Sequence, residues 1–314
     1  WTVSDVPILD ECEELLGPMP TTSASSRETD EGAVKRAREA IEAQNLGGGI
    51  VTAQMLADQV TGQDSWTPLS ERAAKDRTWA YGHIVVDEAQ ELSPMAWRAL
   101  LRRCPSRSFT VVGDLDQRRG SKRPPTWEKA LGPAARALAA EYALTVSYRT
   151  PATLTTLAEG VVARAGVPVL YPMTAVRDVD DCYRVTHVDA PEDAPASSKD
   201  NSPLWRAVAQ AQREAEERLD REAGASRGRV AIIVGAQRAR AWGADVDGET
   251  ALSERVSLLS AVASKGLEFD SVILVEPAEI LGDGVGDLFV ALTRATHDVH
   301  VVHCAPLPAG MEEW

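Results

Sequence analysis

From residue 83 onward, short apolar runs rich in β-branched residues alternate with stretches of helical period. The runs are H-I-V-V (83–86), F-T-V-V (109–112), L-T-V (144–146), R-V-A-I-I-V (229–234), S-L-L-S-A-V (257–262), S-V-I-L-V (271–275) and V-H-V-V-H (299–303). They are too short for helices, and their continuous apolar character suits strands buried on both faces of a parallel sheet. One further strand is expected at 182–188. Helices are expected at 94–103, 128–140, 151–165, 203–223 and 286–296, two of them opened by Pro94 and Pro151, a residue favoured in the first helical turn. Such alternation predicts an α/β fold with open parallel sheets covered by helices on both faces.

Upstream the pattern is less regular. D-E-C-E-E-L-L after Pro7 reads as a short helix, and 17–32 as a Pro/Ser/Thr/Gly-rich loop. Residues 33–45 read as a helix that Gly47–Gly49 ends, followed by a short strand at 50–52, another helical start and a charged helix at 70–77. Residues 189–201 form an acidic loop. No internal repeat is found.

Composition narrows the function classes. With 44% apolar residues in 314 the chain can bury a sizeable core and suggests two domains. No apolar run approaches the roughly 20 residues of a membrane span, and the first residues lack the basic start and apolar stretch of a signal peptide. Cys12, Cys104, Cys182 and Cys304 form no C-x-x-C pair, which argues against a disulfide framework or zinc site and suits a reducing cytoplasm. The net charge of −14 argues against a general nucleic-acid coat. An exception is 102–123, where Arg102, Arg103, Arg107, Arg118, Arg119, Lys122 and Arg123 face only two acids. That stretch is either a contact for nucleic acid or an acidic protein, or a solvated, partly paired surface.

Several strands end in polar clusters. V-V-D-E-A-Q (85–90) closes a buried strand with two adjacent acids, at the end where open parallel sheets bind ligands. Asp87 can hold Mg²⁺ through oxygen, and Glu88 can deprotonate a water. The alternative is an acid pair capping the next helix. V-V-G-D-L-D-Q (111–117) ends the next strand. There Gly113 permits a sharp turn and Gln117 offers a donor and an acceptor suited to a γ-phosphate or its attacking water. In S-Y-R-T-P (147–151), Tyr148 can stack on a base and Arg149 can fork onto phosphate; a structural Tyr and surface Arg are the alternative. S-K-G-L-E-F-D (264–270) offers Lys265, Gly266 and Glu268, the last suited to a ribose hydroxyl. F-V-A-L-T-R-A (289–295) offers Arg294 for a γ-phosphate across a cleft. For Lys265 and Arg294 the alternative is surface charge. His297, His300 and His303 surround the last strand without a completing acid or Cys and read as structural.

This ordered set, D-E-A-Q, G-D-x-x-Q, Y-R, K-G-L-E-F-D and V-A-L-T-R-A, resembles motifs II to VI of the UvrD/Rep-like superfamily 1 helicases over residues 83–304. The resemblance implies a P-loop NTPase fold of two RecA-like lobes. Residues 1–145 would be the remainder of the first lobe, with N-terminal helices and a linker, and 146–314 the second. It implies ATP and Mg²⁺ as cofactors. Asp87 would bind the metal and Glu88 would be the base. Gln117 would sense the γ-phosphate, and Arg149 and Arg294 would contact it. Tyr148 would stack on adenine, Glu268 would bind ribose, and Gly266 would permit close backbone approach.

Three departures qualify this. No G-x-x-x-x-G-K-[ST] occurs in the sequence, and phosphate cradling needs that nest and lysine. The expectation is a C-terminal portion whose missing N-terminal half carries the loop, so that this chain alone binds ATP weakly and does not turn it over. After Gln117 the family's stacking aromatics are absent and only Trp127 stands nearby. Val262 replaces the family's usual His, and Ser147 stands where Asn is common.

W-T-V-S-D-V-P-I-L-D-E (1–11), Y-G-H-I-V-V-D-E-A-Q-E-L-S-P-M (81–95) and C-P-S-R-S-F-T-V-V-G-D-L-D-Q (104–117) resemble HelD and the related actinobacterial HelR proteins. These are helicase-like ATPases that bind RNA polymerase. The resemblance implies a motor that releases stalled polymerase from nucleic acid, with any nucleic-acid contact near Arg118, Arg119, Lys122 and Arg123. The alternatives are a UvrD-type helicase unwinding duplex DNA and a non-catalytic binding module.

Overall fold

The computed structural model describes residues 1–17, 35, 38–39, 68–76, 79–119, 123–189, 202–245 and 253–312. Lys122, the triglycine at 47–49 and the elements expected at 50–60 lie outside the described residues, as does most of the 33–45 helix and of the 189–201 loop. The chain divides into two compact units, residues 1–85 with 93–110 and residues 86–92 with 111–314.

The first unit holds three described helices, α1 (Val6–Leu16), α2 (Leu69–Lys75) and α3 (Pro94–Arg103). α3 starts where the sequence says it should. The Ser93 hydroxyl accepts the Ala96 N–H, and Pro94 fills the first turn, so two N–H groups left over at a helix start are dealt with. Trp97 is fully buried, edge-on to Phe109. Glu11 of α1 pairs with Arg98 and Arg102 of α3, and Asp10 also takes Arg102. Strands β1 (Ile84–Val86) and β2 (Phe109–Val111) form a two-stranded sheet, and the division between the units runs through them.

The second unit continues with α4 (Trp127–Leu131), β3 (Val146–Ser147), α5 (Ala152–Arg164), β4 (Thr174–Ala175), β5 (Tyr183–His187) and α6 (Pro203–Ala223). Then follow β6 (Val230–Val234), α7 (Ala236–Trp242), β7 (Val256–Ser260), β8 (Phe269–Val275), α8 (Pro277–Asp283), α9 (Val285–Leu292) and β9 (Ala295–His303). β3 and β4 pair in parallel as a separate ribbon. The main sheet has the order β5-β9-β8-β6-β7, and every pair in it is parallel.

β6 is buried along its whole length, and its side chains alternate between two cores. Ala231 and Ile233 join Leu154, Leu157 and Val161 of α5 and Leu288 of α9 on one face. Val230, Ile232 and Val234 join Leu204, Val208 and Leu219 of α6 and Trp242 of α7 on the other. Each buried Val, Leu or Ile among them contributes about 1.5–3 kcal/mol. The expected α/β architecture, parallel sheet with helices on both faces, is therefore present. The alternating charges of helix α6 read as a solvated face, and the structure adds the apolar face behind it. A stripe at 204, 208, 211, 215 and 219 is buried, while the Gln210–Glu214 pair is exposed and the Gln212–Glu216 pair lies half-buried beside the stripe.

Two expectations need correction. The helix expected at 128–140 is α4 and then a 3-10 turn at Gly132–Ala137. Gly132 sits at φ 52°, ψ −116°, a conformation reserved for glycine, and Pro133 cannot donate to the preceding turn. The strand expected at 144–146 begins only at Val146, and Leu144 is exposed. Among the described residues no helix is long and apolar enough to cross a membrane.

Candidate functional site

β1 ends at Val86, and the next residues turn sharply. Glu88 lies in the left-handed region, φ 51° and ψ 35°, which costs a non-glycine residue roughly 1 kcal/mol or more. Asp87 Oδ1 accepts the Glu88 N–H at 2.8 Å, so the two carboxylates diverge. The Glu88 carboxylate is held by Gln90 Nε2 at 2.6 Å and stands 3.3 Å from Lys265 Nζ.

Gln90 is buried, and its other amide atom accepts the Asp114 N–H at 3.0 Å. Asp114 in turn accepts from Gln117 Nε2 at 2.9 Å, and Gln117 Oε1 accepts from Arg294 Nη2 at 3.2 Å. Lys265 closes the circuit, donating to Glu91 Oε1 at 2.5 Å and to the Gln117 carbonyl at 2.9 Å. Five of the sequence-chosen residues are thus joined or adjoining: Asp87, Glu88, Gln117, Lys265 and Arg294. All lie in the second unit.

Arg294 is buried and also donates to the Val290 and Leu267 carbonyls. Burial, helped by the nearby Arg149 charge, pulls its pKa down to about 10; Glu88, Glu268 and Asp114 act the other way. It stays a cation at neutral pH. The surface-charge alternative does not describe Arg294, nor Lys265, whose side chain is largely covered. Arg149 and Glu268 pair with each other at 2.7 Å. Tyr148 joins no part of the network, and its ring is 75% exposed. Gly266 has φ 75° and open space where a Cβ would sit, so its backbone conformation, rather than crowding, asks for glycine.

Two other glycines set distances. A Cβ on Gly113 would lie 2.3 Å from Gln90 Oε1 and 2.8 Å from the Trp127 ring. Gly113 therefore serves close packing rather than the sharp turn expected of it. A Cβ on Gly286 would lie 2.2 Å from the Arg118 carbonyl oxygen, so the start of α9 approaches the 115–117 turn closely. Sequence reasoning passed over Gln90, Glu91 and Asp114. Gln90 was visible as the last letter of D-E-A-Q, and Glu91 carried no local signal.

Much of the basic stretch is used internally. Arg102 pairs with Asp10 and Glu11, and Arg103 donates to the Asp76 and Trp79 carbonyls. Arg118 donates to the Gln90 carbonyl, and Arg123 pairs with Asp116. Arg119 instead lines a pocket of about 370 Å³ with Ala236, Ser260, Val262, Asp283 and Asp287. That pocket does not include Tyr148, Arg149, Glu268 or Arg294. Burial raises the pKa of Asp287; Asp283 and Glu91 add to this, and Arg119 and Lys265 oppose it.

A raised folded-state pKa means that Asp287 binds its proton more tightly in the folded chain. Its contribution to stability is largest in acid and is lost as pH rises through the folded pKa. Asp287→Asn is accordingly expected to raise the melting temperature at pH 7. The gain over wild type should shrink as pH falls toward 4. Thermal melts across that range check both the sign and the trend.

Comparison with family models gave no match, and no curated protein matches the chain. Among solved structures it is similar to the arterivirus nonstructural protein 10 helicase, at 16% identity and a TM-score of 0.38. That match covers 74% of this chain and 41% of the viral one, so the chain spans about two fifths of that protein's length. The same viral protein in complex with DNA gives 17% identity and 0.37, covering 71% and 40%. The C-terminal domain of a possible DNA helicase from Lactobacillus plantarum WCFS1 gives 19% identity and 0.33, covering 52% and 92%.

Proposed function

We propose that this chain supplies the water-activating half of an ATP site in a superfamily 1 helicase-like motor, and that the motor remodels RNA polymerase on nucleic acid. One observation carries the catalytic part. Residues from four separated segments, at 87–91, 114–117, 265 and 294, converge on Glu88 through one continuous hydrogen-bond circuit. The partner rests on the resemblance to HelD.

The residues present fit part of a nucleotide site. Arg149, Arg294 and Lys265 provide cationic donors, Asp87 a hard oxygen ligand, and Tyr148 an exposed ring. The lysine-bearing phosphate loop is not in this sequence, so the cradle for the β-phosphate must come from elsewhere. Mg²⁺, held through Asp87, supplies neutralising charge for phosphate oxygens when bound.

The chain's own residues then have distinct tasks. Glu88 takes the proton of the attacking water. Gln90, buried and fixed by Asp114, holds the Glu88 carboxylate in place. Gln117 orients the water or reads the γ-phosphate. Arg294 offers charge where the transition state becomes more negative. Lys265 and Arg149, engaged with Glu91 and Glu268, release those partners as phosphate enters.

Steady-state ATP hydrolysis by the parent polypeptide tests this, measured alone, with single-stranded DNA and with core RNA polymerase. Glu88→Gln should lower turnover by roughly 10²–10⁴-fold. Polymerase should alter the rate and single-stranded DNA should not. Stimulation mainly by DNA would make the protein a UvrD-type unwinding helicase. Wild-type turnover no higher than that of Glu88→Gln, with the biological activity kept in both, would leave a binding module, and equal, substantial turnover would move the base elsewhere.

A further inference from the structure

The strand order reverses at β6, with β7 on one side and β8 on the other. Crevices beside the carboxyl ends of strands at such a reversal are where open α/β sheets take ligands. The pocket of about 370 Å³ lies there, against Ala236 after β6 and Ser260 to Val262 at the end of β7. Its size is at the small end of ligand pockets, roughly 300–1,000 Å³.

Its charge is specific. Two carboxylates line it, Asp283 and Asp287, against one guanidinium, Arg119. One Asp283 oxygen is committed, accepting the Ala236 N–H at 2.7 Å. Gly235 lets the strand end come that close, since a Cβ there would stand 3.1 Å from Glu279 and 3.3 Å from Asp283. Asp287 differs. The residue is only 6% exposed and lines the pocket, and the described residues act on its carboxylate as nearby charges rather than as hydrogen-bond donors. A buried carboxylate without a donor costs free energy until a partner arrives. Lys265, the other nearby cation, already has acceptors in Glu91, Glu88 and the Gln117 carbonyl.

We propose that this pocket binds a basic side chain, arginine or lysine, from a segment of a partner protein. Two acids against one guanidinium repel a phosphate and attract a cation. Ala236, Ala261 and Val262 give an apolar wall for the aliphatic stem, and Asp287 and Asp283 receive the charged head. Arg119, exposed at the rim, competes with the incoming cation. The site stands apart from the ATP reading and does not depend on it.

The test uses this chain isotopically labelled, with amide signals of Ala236, Ser260 and Val262 as reporters. The probes are acetyl-Gly-Arg-Gly-amide, its citrulline counterpart and a ten-residue oligothymidylate. The arginine peptide should shift those signals saturably and the citrulline peptide should not. Asp287→Asn, which removes a buried charge and keeps the shape, should weaken binding at least tenfold. Arg119→Ala, an exposed change, should tighten it several-fold. Equal binding of the citrulline peptide, no loss in Asp287→Asn, weaker binding in Arg119→Ala, or shifts with oligothymidylate alone would each overturn the proposal.

Discussion

On the proposed ATPase reading, Arg294→Ala in the parent polypeptide is expected to lower ATP turnover by about 10³-fold or more, the scale on which an arginine acts at a transferring phosphoryl group. The reason is where the fold holds this cation. Its guanidinium is buried, and burial pulls its pKa down to about 10, so keeping it charged costs free energy. A surface arginine would not carry that cost. Two carbonyl oxygens and Gln117 Oε1 fix its orientation, which leaves little to reorganise when charge develops beside it. The loss should appear mainly in kcat, with a smaller change in KM, because the interaction strengthens in the transition state. Arg294→Lys should recover little, since an ammonium cannot reproduce the planar fork. A variant that melts earlier but hydrolyses normally would make Arg294 a structural residue.

Which parts of this arrangement were legible in the sequence follows from how local each cause is. β6 was plain because both faces are buried, so five consecutive apolar residues had no other use. α3 was plain because Ser93 and Pro94 mark its start within four residues of the first buried side chain. The segment 128–147 misled because Gly132 and Pro133 interrupt an otherwise helical composition, and because Leu144 stays exposed. In the site, residue types announced themselves: adjacent acids after a strand, a glutamine after a glycine, an arginine near an apolar helix, although the helix expected over 286–296 ends at Leu292 and Arg294 lies in the turn before β9. Their partners did not. Nothing near Lys265 indicates that Glu91 is its partner, 174 residues away. Likewise 102–123 left open a contact surface or a partly paired one, and nothing local showed that Arg102 is neutralised by acids in α1, more than 90 residues upstream.

Asp298→Ala is expected to cost roughly 3–5 kcal/mol of stability, the range for removing one partner from a buried ion cluster. Asp298 sits in β9, with its side chain 3% exposed. Arg218 from α6 donates to one oxygen, and Arg184 from β5 donates to the other at 3.2 Å. His300 lies on the same strand, bonded to Thr186 at 2.8 Å. Alanine would leave two guanidiniums without the carboxylate that both of them engage, Arg218 largely covered. Asp298→Asn keeps both acceptor and shape and should cost less. Chemical denaturation of the two variants measures the difference. A cycle with Arg218→Met should return a coupling above about 1 kcal/mol. A loss below that figure in Asp298→Ala would mean that solvent reaches the cluster. The consequence extends to the site, because β9 begins at Ala295, immediately after Arg294. Asp298 ties that strand to β5 and α6, and so fixes where the arginine emerges. Loosening it should lower the folded population first, and the turnover of folded molecules only as far as Arg294 drifts from Gln117.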